Sequence, residues 1–371
     1  MSAPLLLRKL PMNTVRILFL LGVLQVAPSV GRADVLAGPE SLIFVGETAE
    51  QATAQLLHVP REAPVLRSAT RETAFTPGQD FVWEAGSREL RLTAESRVPF
   101  ITPDQLHPEP NSPNSYRHLR DSEKWMLFGP GRYFHDRQCV AEYEPEDDWE
   151  LPAISPATSE QLGKLRGRLK SKQPVSMVVL GDSISTEADA SKLADAPPRQ
   201  PGYPTLVADR LQQEFGSDVR LVNLSVGGKD SAWGIQQVDA VIAAQPQLLL
   251  VAFGMNDGSG RRKPVDFAAN TQRIIEPVLS ALPDCEVLLV SSMTANREWA
   301  FSAPELYGAY AEQLRSLCGP RVGLADVTTV WTAIDARKKH LDLTGNGLNH
   351  PNDYGHRIYA EVVLRTIGDA E

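Results

Sequence analysis

Val175-Ser176-Met177-Val178-Val179-Leu180-Gly181-Asp182-Ser183-Ile184-Ser185 joins an apolar run to a turn of small residues. The run from Val175 to Leu180 lacks the polar alternation of a half-exposed strand, and so suits a strand covered on both faces by helices. Four more runs of this texture follow, at Val219 to Val226, Leu248 to Phe253, Val287 to Val290 and Val322 to Val327. Between them lie helical spacings: Val207, Leu211 and Phe215; Ile235, Val238 and Ile242; Phe267, Thr271, Ile274 and Val278. A last one carries Tyr354, Ile358, Val362 and Val363. Pro277 falls inside one of these helices and predicts a kink. Five strands alternating with helices predict an α/β fold, a three-layer α/β/α doubly wound, flavodoxin-like parallel sheet of five strands.

In an open parallel sheet ligands bind beyond the carboxyl ends of the strands. Ser183 follows the first strand, Gly227-Gly228 the second and Asn256, in Gly254-Met255-Asn256-Asp257, the third. All three therefore share one rim. His350-Pro351-Asn352-Asp353 lies near the C-terminus. A serine hydroxyl needs a base to become nucleophilic, and the oxyanion formed on attack needs preplaced donors. Serine, histidine, glycine backbone and asparagine amide are groups of those types.

Upstream of Thr158 the texture differs. Short β-rich runs (Ser41 to Val45, Ala54 to Val59, Phe81 to Glu84, Glu89 to Thr93) are broken by Pro77-Gly78 and Gly86-Ser87, which predicts a small β-sandwich. A proline-rich loop from Thr102 to Asn114 and an acidic, proline-bearing stretch from Glu142 to Pro156 follow. Leu162, Leu165 and Leu169, spaced i, i+3, i+7 among basic residues, predict a helix leading into the sheet. The expected organisation is a β-rich domain at 34–145, a linker at 146–160 and the α/β domain at 161–371.

Residues 1–33 have the pattern of a secretory signal: Arg8, Lys9 and Arg16 precede the apolar run Ile17 to Ala27, and Gly31-Arg32-Ala33 offers a small-x-small cleavage site. The expected location is secreted or periplasmic, with no membrane attachment after cleavage. The chain of 371 residues is 42% hydrophobic and 22% charged, ordinary for a globular protein. Losing the signal removes four basic residues and takes the formal charge from −9 to −13, which disfavours nucleic acid and anionic membrane surfaces as partners. Cys139, Cys285 and Cys318 match no zinc or redox spacing. Cys285 and Cys318 fall at the same sheet edge, so a bridge and free thiols both remain open. His58, His107, His118, His135, His340 and His356 show no metal-ligand spacing and are expected at the surface or in packing. The expectation is no metal and no cofactor. Oligomeric state is not legible.

The ordered blocks from residue 173 to 368 resemble the SGNH hydrolases, also called GDSL-type esterases. The resemblance implies that Ser183 is the nucleophile and His350 the base, and that the oxyanion hole comprises the Ser183 backbone, the Gly228 backbone and the Asn256 side chain. It departs at one place. Most members carry an aspartate three residues before the histidine, where this chain has Gly347. Two-domain carbohydrate esterases of this fold that lack the aspartate orient the histidine with a backbone carbonyl, so a Ser-His pair with Asp342 or Asn346 in support is expected. Together these features imply an exported serine esterase acting on acyl, plausibly acetyl, esters of a carbohydrate or polyol. A lipase or lysophospholipase and a non-catalytic carbohydrate-binding protein on the same scaffold are the alternatives. Trp233, Arg297 and Trp299 are candidates for shaping a pocket at the rim. The neutral imidazole required of a base predicts loss of activity on acidification through a histidine's titration range.

Overall fold

The computed structural model describes residues 38–368. The expected signal segment 1–33 and the mature start near Asp34 lie outside them.

The five apolar runs form one parallel sheet, at Val175–Gly181, Val219–Asn223, Leu248–Ala252, Glu286–Val290 and Val322–Ala325. In space the second strand stands at one edge, next to the first, followed by the third, fourth and fifth. The pairing Val179↔Leu250 and Leu249↔Val287 keeps the carboxyl ends level. Every residue of Leu248–Ala252 and Glu286–Val290 is buried, as strands sandwiched between helices require. Helices Tyr203–Phe215 and Val327–Asp335 each pack against Asp353–Ile367. Ser231–Ile235 and Pro304–Ser316 pack on the long helix Pro264–Ala281, which runs past Pro277 for four more residues. Leu162, Leu165 and Leu169 are all buried on one side of helix Ser159–Lys170, against the fourth and fifth strands. Cys139, Cys285 and Cys318 are free thiols.

The N-terminal β region is one barrel-like, mainly antiparallel sheet whose two halves enclose a common core. Strand Glu40–Val45 belongs to both of its halves. Its start pairs with Gln138–Glu142, while its end pairs with Thr53–Gln55 and, in parallel, with Phe100–Ile101. Strands at Val65–Ser68, Ala74–Phe75 and Gln138–Glu142 were not evident in the runs read from sequence. Alternation along Glu40–Val45 sends Leu42 and Phe44 into the β core, with Leu66, Phe81 and Leu90. It sends Ile43 the other way, against Ile101, Phe134 and Leu341.

That second face meets the α/β region through buried polar groups. Asp342 Oδ1 accepts the Ile43 N–H at 2.7 Å and Oδ2 accepts the Lys339 N–H at 3.1 Å. Lys338 Nζ is paired with Glu40 and donates to Gln55 O at 2.9 Å, while Lys339 Nζ donates to Thr53 O at 2.7 Å. Asp342 is therefore an anchor between the two sheets and does not orient His350. Removing the Asp342 carboxylate leaves the buried Ile43 and Lys339 N–H groups without an acceptor and takes away a charge 3.7 Å from Lys338. Asp342→Ala is expected to lower unfolding stability by about 3 kcal/mol, read by denaturant titration, with kcat of the folded enzyme kept within twofold.

Candidate active site

The strand Val175–Gly181 ends at a tight turn. A Cβ on Gly181 would sit 2.4 Å from Ser185 Oγ and 2.6 Å from Ala252 O, so only glycine lets the chain bend there. Asp182 Oδ1 accepts the Ile184 N–H at 3.0 Å, and Thr186 Oγ1 donates to Ser183 O at 2.8 Å. These bonds fix the half-buried Ser183 at the rim.

His350 comes from the loop before helix Asp353–Ile367. Asn346 Oδ1 accepts the N–H groups of Leu348, Asn349 and His350 at 2.9, 3.0 and 3.3 Å. Asn346 thus shapes the loop but does not touch the imidazole. His350 Nε2 lies 2.9 Å from Ser183 Oγ, and Nδ1 lies 2.7 Å from Asp189 Oδ2. A carboxylate only accepts, so Nδ1 carries the proton and Nε2 faces the hydroxyl as acceptor.

Asp189, six residues after Ser183, was not anticipated. The sequence points to an acid just upstream of the histidine, whereas the chain supplies it from the turn after the serine. Both Glu187 and Asp189 adopt positive φ, 67° and 60°, a conformation that non-glycine residues rarely hold unless their surroundings enforce it. Several contacts do so. Glu187 accepts the hydroxyl of Thr205. Ala188 O receives the Nε2–H of His356 at 3.1 Å, while His356 Nδ1 accepts the Tyr203 N–H at 3.2 Å. Complete burial of His356 pushes its pKa down to about 4, so it stays neutral and keeps both bonds. Gly345 permits the approach of Asp189, whose Cβ lies 2.6 Å from where a Cβ at 345 would be. The one sequence hint was a pair of acids, Glu187 and Asp189, in a tract otherwise small and apolar.

The remaining predicted groups lie on loops of the same rim. A Cβ on Gly227 would stand 3.7 Å from Ser183 Cβ, and Gly228 has φ +74° with open space beside it. Asn256 Nδ2 donates one hydrogen to Lys229 O at 2.9 Å, which ties its loop to the glycine loop. Below them, buried Asp257 accepts from the Ser231 N–H at 3.1 Å and from Arg262 Nε. Arg262 also pairs with Asp230. The second and third loops are therefore locked together. Of the pocket candidates, Trp299 packs with Tyr116 and Phe301. Trp233 stands edge-on to Phe253, and Arg297 lies 3.9 Å from Asp335. Among the described residues no group of three or more histidine, cysteine or acidic side chains is placed to hold a metal ion.

Asp182 is fully buried beside the serine, and burial pushes its carboxyl up to about 7. Below about pH 4 it is protonated in both folded and unfolded chains. Between there and about pH 7 the folded protein keeps a proton that the unfolded chain releases, so this group lowers stability as pH rises. Asp182→Asn retains the acceptor for Ile184 and abolishes the titration. The variant is expected to gain melting temperature over the parent progressively from pH 4.5 to 7.5; a constant difference would count against the assignment.

A serine, an imidazole and a carboxylate hydrogen-bonded in line at the carboxyl rim of a doubly wound sheet form the arrangement that serine hydrolases share. Residues 179–358 match the GDSL-like Lipase/Acylhydrolase family. That match takes in Ser183, Asp189, Gly228, Asn256 and His350. Over 97 residues the chain is 34% identical to Esterase TesA of Pseudomonas aeruginosa, covering 25% of this chain and 43% of that protein. Two solved structures are also similar. A two-domain esterase (CEX) active on acetylated mannans is 22% identical with a TM-score of 0.46, covering 58% of this chain and 54% of its own. Axe2, an acetylxylan esterase from Geobacillus stearothermophilus, is 17% identical with a TM-score of 0.42, covering 52% and 94%. The chain thus spans about half the length of the two-domain esterase and less than half of TesA.

Proposed function

We propose that this protein is an exported serine esterase that removes small acyl groups, acetyl foremost, from a carbohydrate or related polyol. The observation that carries the reaction type is the unbroken line Ser183 Oγ, His350 Nε2, His350 Nδ1, Asp189 Oδ2, with separations of 2.9 and 2.7 Å. Ser183 attacks the ester carbonyl as its proton passes to His350 Nε2. The Ser183 and Gly228 N–H groups and the second Asn256 amide hydrogen receive the oxyanion. His350 returns the proton to the departing sugar hydroxyl as the C–O bond breaks. Water, deprotonated by the same nitrogen, then releases the acid and restores Ser183.

The carbohydrate half of the proposal is supported by the resemblance to exported esterases with a β domain ahead of the catalytic one. An aromatic cluster beside the histidine loop supports it too. Asn296 donates its N–H to Leu348 O at 2.7 Å. The segment it begins carries Trp299 and Phe301, and Phe301 is 49% exposed next to Tyr116. The exposed Phe301 ring, backed by buried Trp299, suits the apolar face of a pyranose.

Release of acetate from a panel of acetylated glycans, beside p-nitrophenyl acetate and p-nitrophenyl decanoate, tests the reading. Acetate release with weak decanoate turnover is expected. Preference for decanoate would favour the lipase alternative, and no turnover of any ester would favour a binding protein. Within the esterase reading, Asn256→Ala is expected to lower kcat by about 10²- to 10³-fold with little change in KM, measured by steady-state kinetics on p-nitrophenyl acetate.

A further inference from the structure

The orienting carboxylate does not stand alone in the α/β domain. Asp189 uses its two oxygens differently: Oδ2 faces His350, while Oδ1 accepts the backbone N–H of Gly131 at 3.2 Å. Gly131 lies in the loop that leads into the β-domain strand Gln138–Glu142. Two residues earlier, Gly129 donates its N–H to Asn346 O at 3.1 Å, and Asn346 is the residue that shapes the His350 loop. Three residues later, the wholly buried Phe134 fills the space beside Gly347. A Cβ at 347 would lie 2.7 Å from the Phe134 ring, and Gly347 has φ +83°. The position where most relatives of this fold carry their acid is therefore closed to any side chain by the β domain.

We propose that the loop Gly129–Phe134 is a working part of the catalytic centre: Phe134 excludes an acid at position 347, and the Gly131 N–H seats its replacement, Asp189, against His350. This rests on the Ser183–His350 reading and deepens it. The physical reasoning is direct. The backbone of the turn is held by its own contacts, but the Asp189 side chain keeps its torsional freedom, and a charge-assisted hydrogen bond from a neighbouring loop removes it. Holding Oδ1 also leaves Oδ2 as the oxygen turned to the imidazole. Gly131 is thus a positioning residue that acts through Asp189, and the β domain contributes to turnover even with substrates too small to reach it.

The test is a double-substitution cycle on the full chain with p-nitrophenyl acetate. Glycolate in place of Gly131, which turns the amide into an ester, removes the N–H while keeping the backbone φ of +70° that a proline ring cannot adopt. It is expected to lower kcat by about 10- to 100-fold with KM within twofold. Gly131→Asn keeps the amide and tolerates positive φ, so it should retain kcat within about threefold. In an Asp189→Ala background, the Gly131 ester should cost less than twofold further. Equal losses in both backgrounds, or no loss in the parent, would overturn the proposal. A second arm asks whether Gly347→Asp restores Asp189→Ala; restoration would show that Phe134 does not exclude an acid there. If Ser183→Ala itself leaves the rate intact, the esterase reading fails. If Ser183→Ala and Asp189→Ala both lose activity but the Gly131 ester is uncoupled, only the role of the loop fails.

Discussion

Replacing Ser183 with alanine is expected to lower kcat/KM for p-nitrophenyl acetate by at least about 10⁴-fold, with melting temperature unchanged within about 2 °C. The reasoning is chemical. The hydroxyl is the group at the rim that faces an imidazole acceptor, at 2.9 Å. Without it there is no covalent intermediate, and His350 is left to activate water at a geometry built for serine. Residual rate would come from the oxyanion donors alone, which in hydrolases of this kind leave a small catalysis over water. The fold should not suffer, because Ser183 is only partly buried and its hydroxyl bonds only to His350 among the described residues. The measurement is steady-state turnover together with stoichiometric labelling of the parent by a serine-directed phosphonate. A Ser183→Ala protein that hydrolyses the ester at a tenth or more of the parental rate would remove the basis of the proposed mechanism.

How far the sequence spoke depends on the range of the physics involved. The α/β sheet was legible because burial on both faces writes continuous apolar runs such as Leu248 to Phe253, a local signal that needs no partner to interpret. Placement of Ser183, Gly228 and Asn256 on one rim followed from strand direction alone. The β domain was read less completely. Strands Ala74–Phe75 and Phe100–Ile101 are two residues long and exist because Val65–Ser68 and Glu40–Val45 offer them an edge, a tertiary fact that no window of sequence contains. The acid was misread for the same reason. Asp342 is near His350 in sequence, but its carboxylate is taken by the Ile43 and Lys339 amides at the seam between the sheets. Asp189 is 161 residues from His350; Gly131 bonds its carboxylate, and Thr205 and His356 hold the two residues before it, Glu187 and Ala188, none of them adjacent in the chain. The absence of an aspartate at 347 was visible in the sequence. Its cause, the Phe134 ring in the space a side chain would need, was not.

The second large effect is expected at Asp189, and its direction separates asparagine from alanine. Because Oδ1 receives the Gly131 N–H, an asparagine at 189 would keep its carbonyl oxygen on Gly131 and turn its amide toward His350 Nδ1. A donor opposite Nδ1 favours the imidazole tautomer with its proton on Nε2. That nitrogen can then no longer take the proton of Ser183. Asp189→Asn is therefore expected to lower kcat by about 10³- to 10⁴-fold while leaving KM nearly unchanged. Asp189→Ala leaves the tautomer free and loses only orientation and the stabilisation of imidazolium, so it should retain more activity than the asparagine variant. The pair, measured beside Asp342→Ala on the same substrate, gives a rank order that a merely structural aspartate would not produce. Asp342→Ala should be less stable but active, Asp189→Ala stable and slow, and Asp189→Asn stable and slowest. Asparagine at 189 retaining more than a tenth of parental kcat, or alanine proving the worse of the two, would mean that the carboxylate 2.7 Å from Nδ1 does not set the protonation of His350, and that the proton inventory of the site has to be drawn differently.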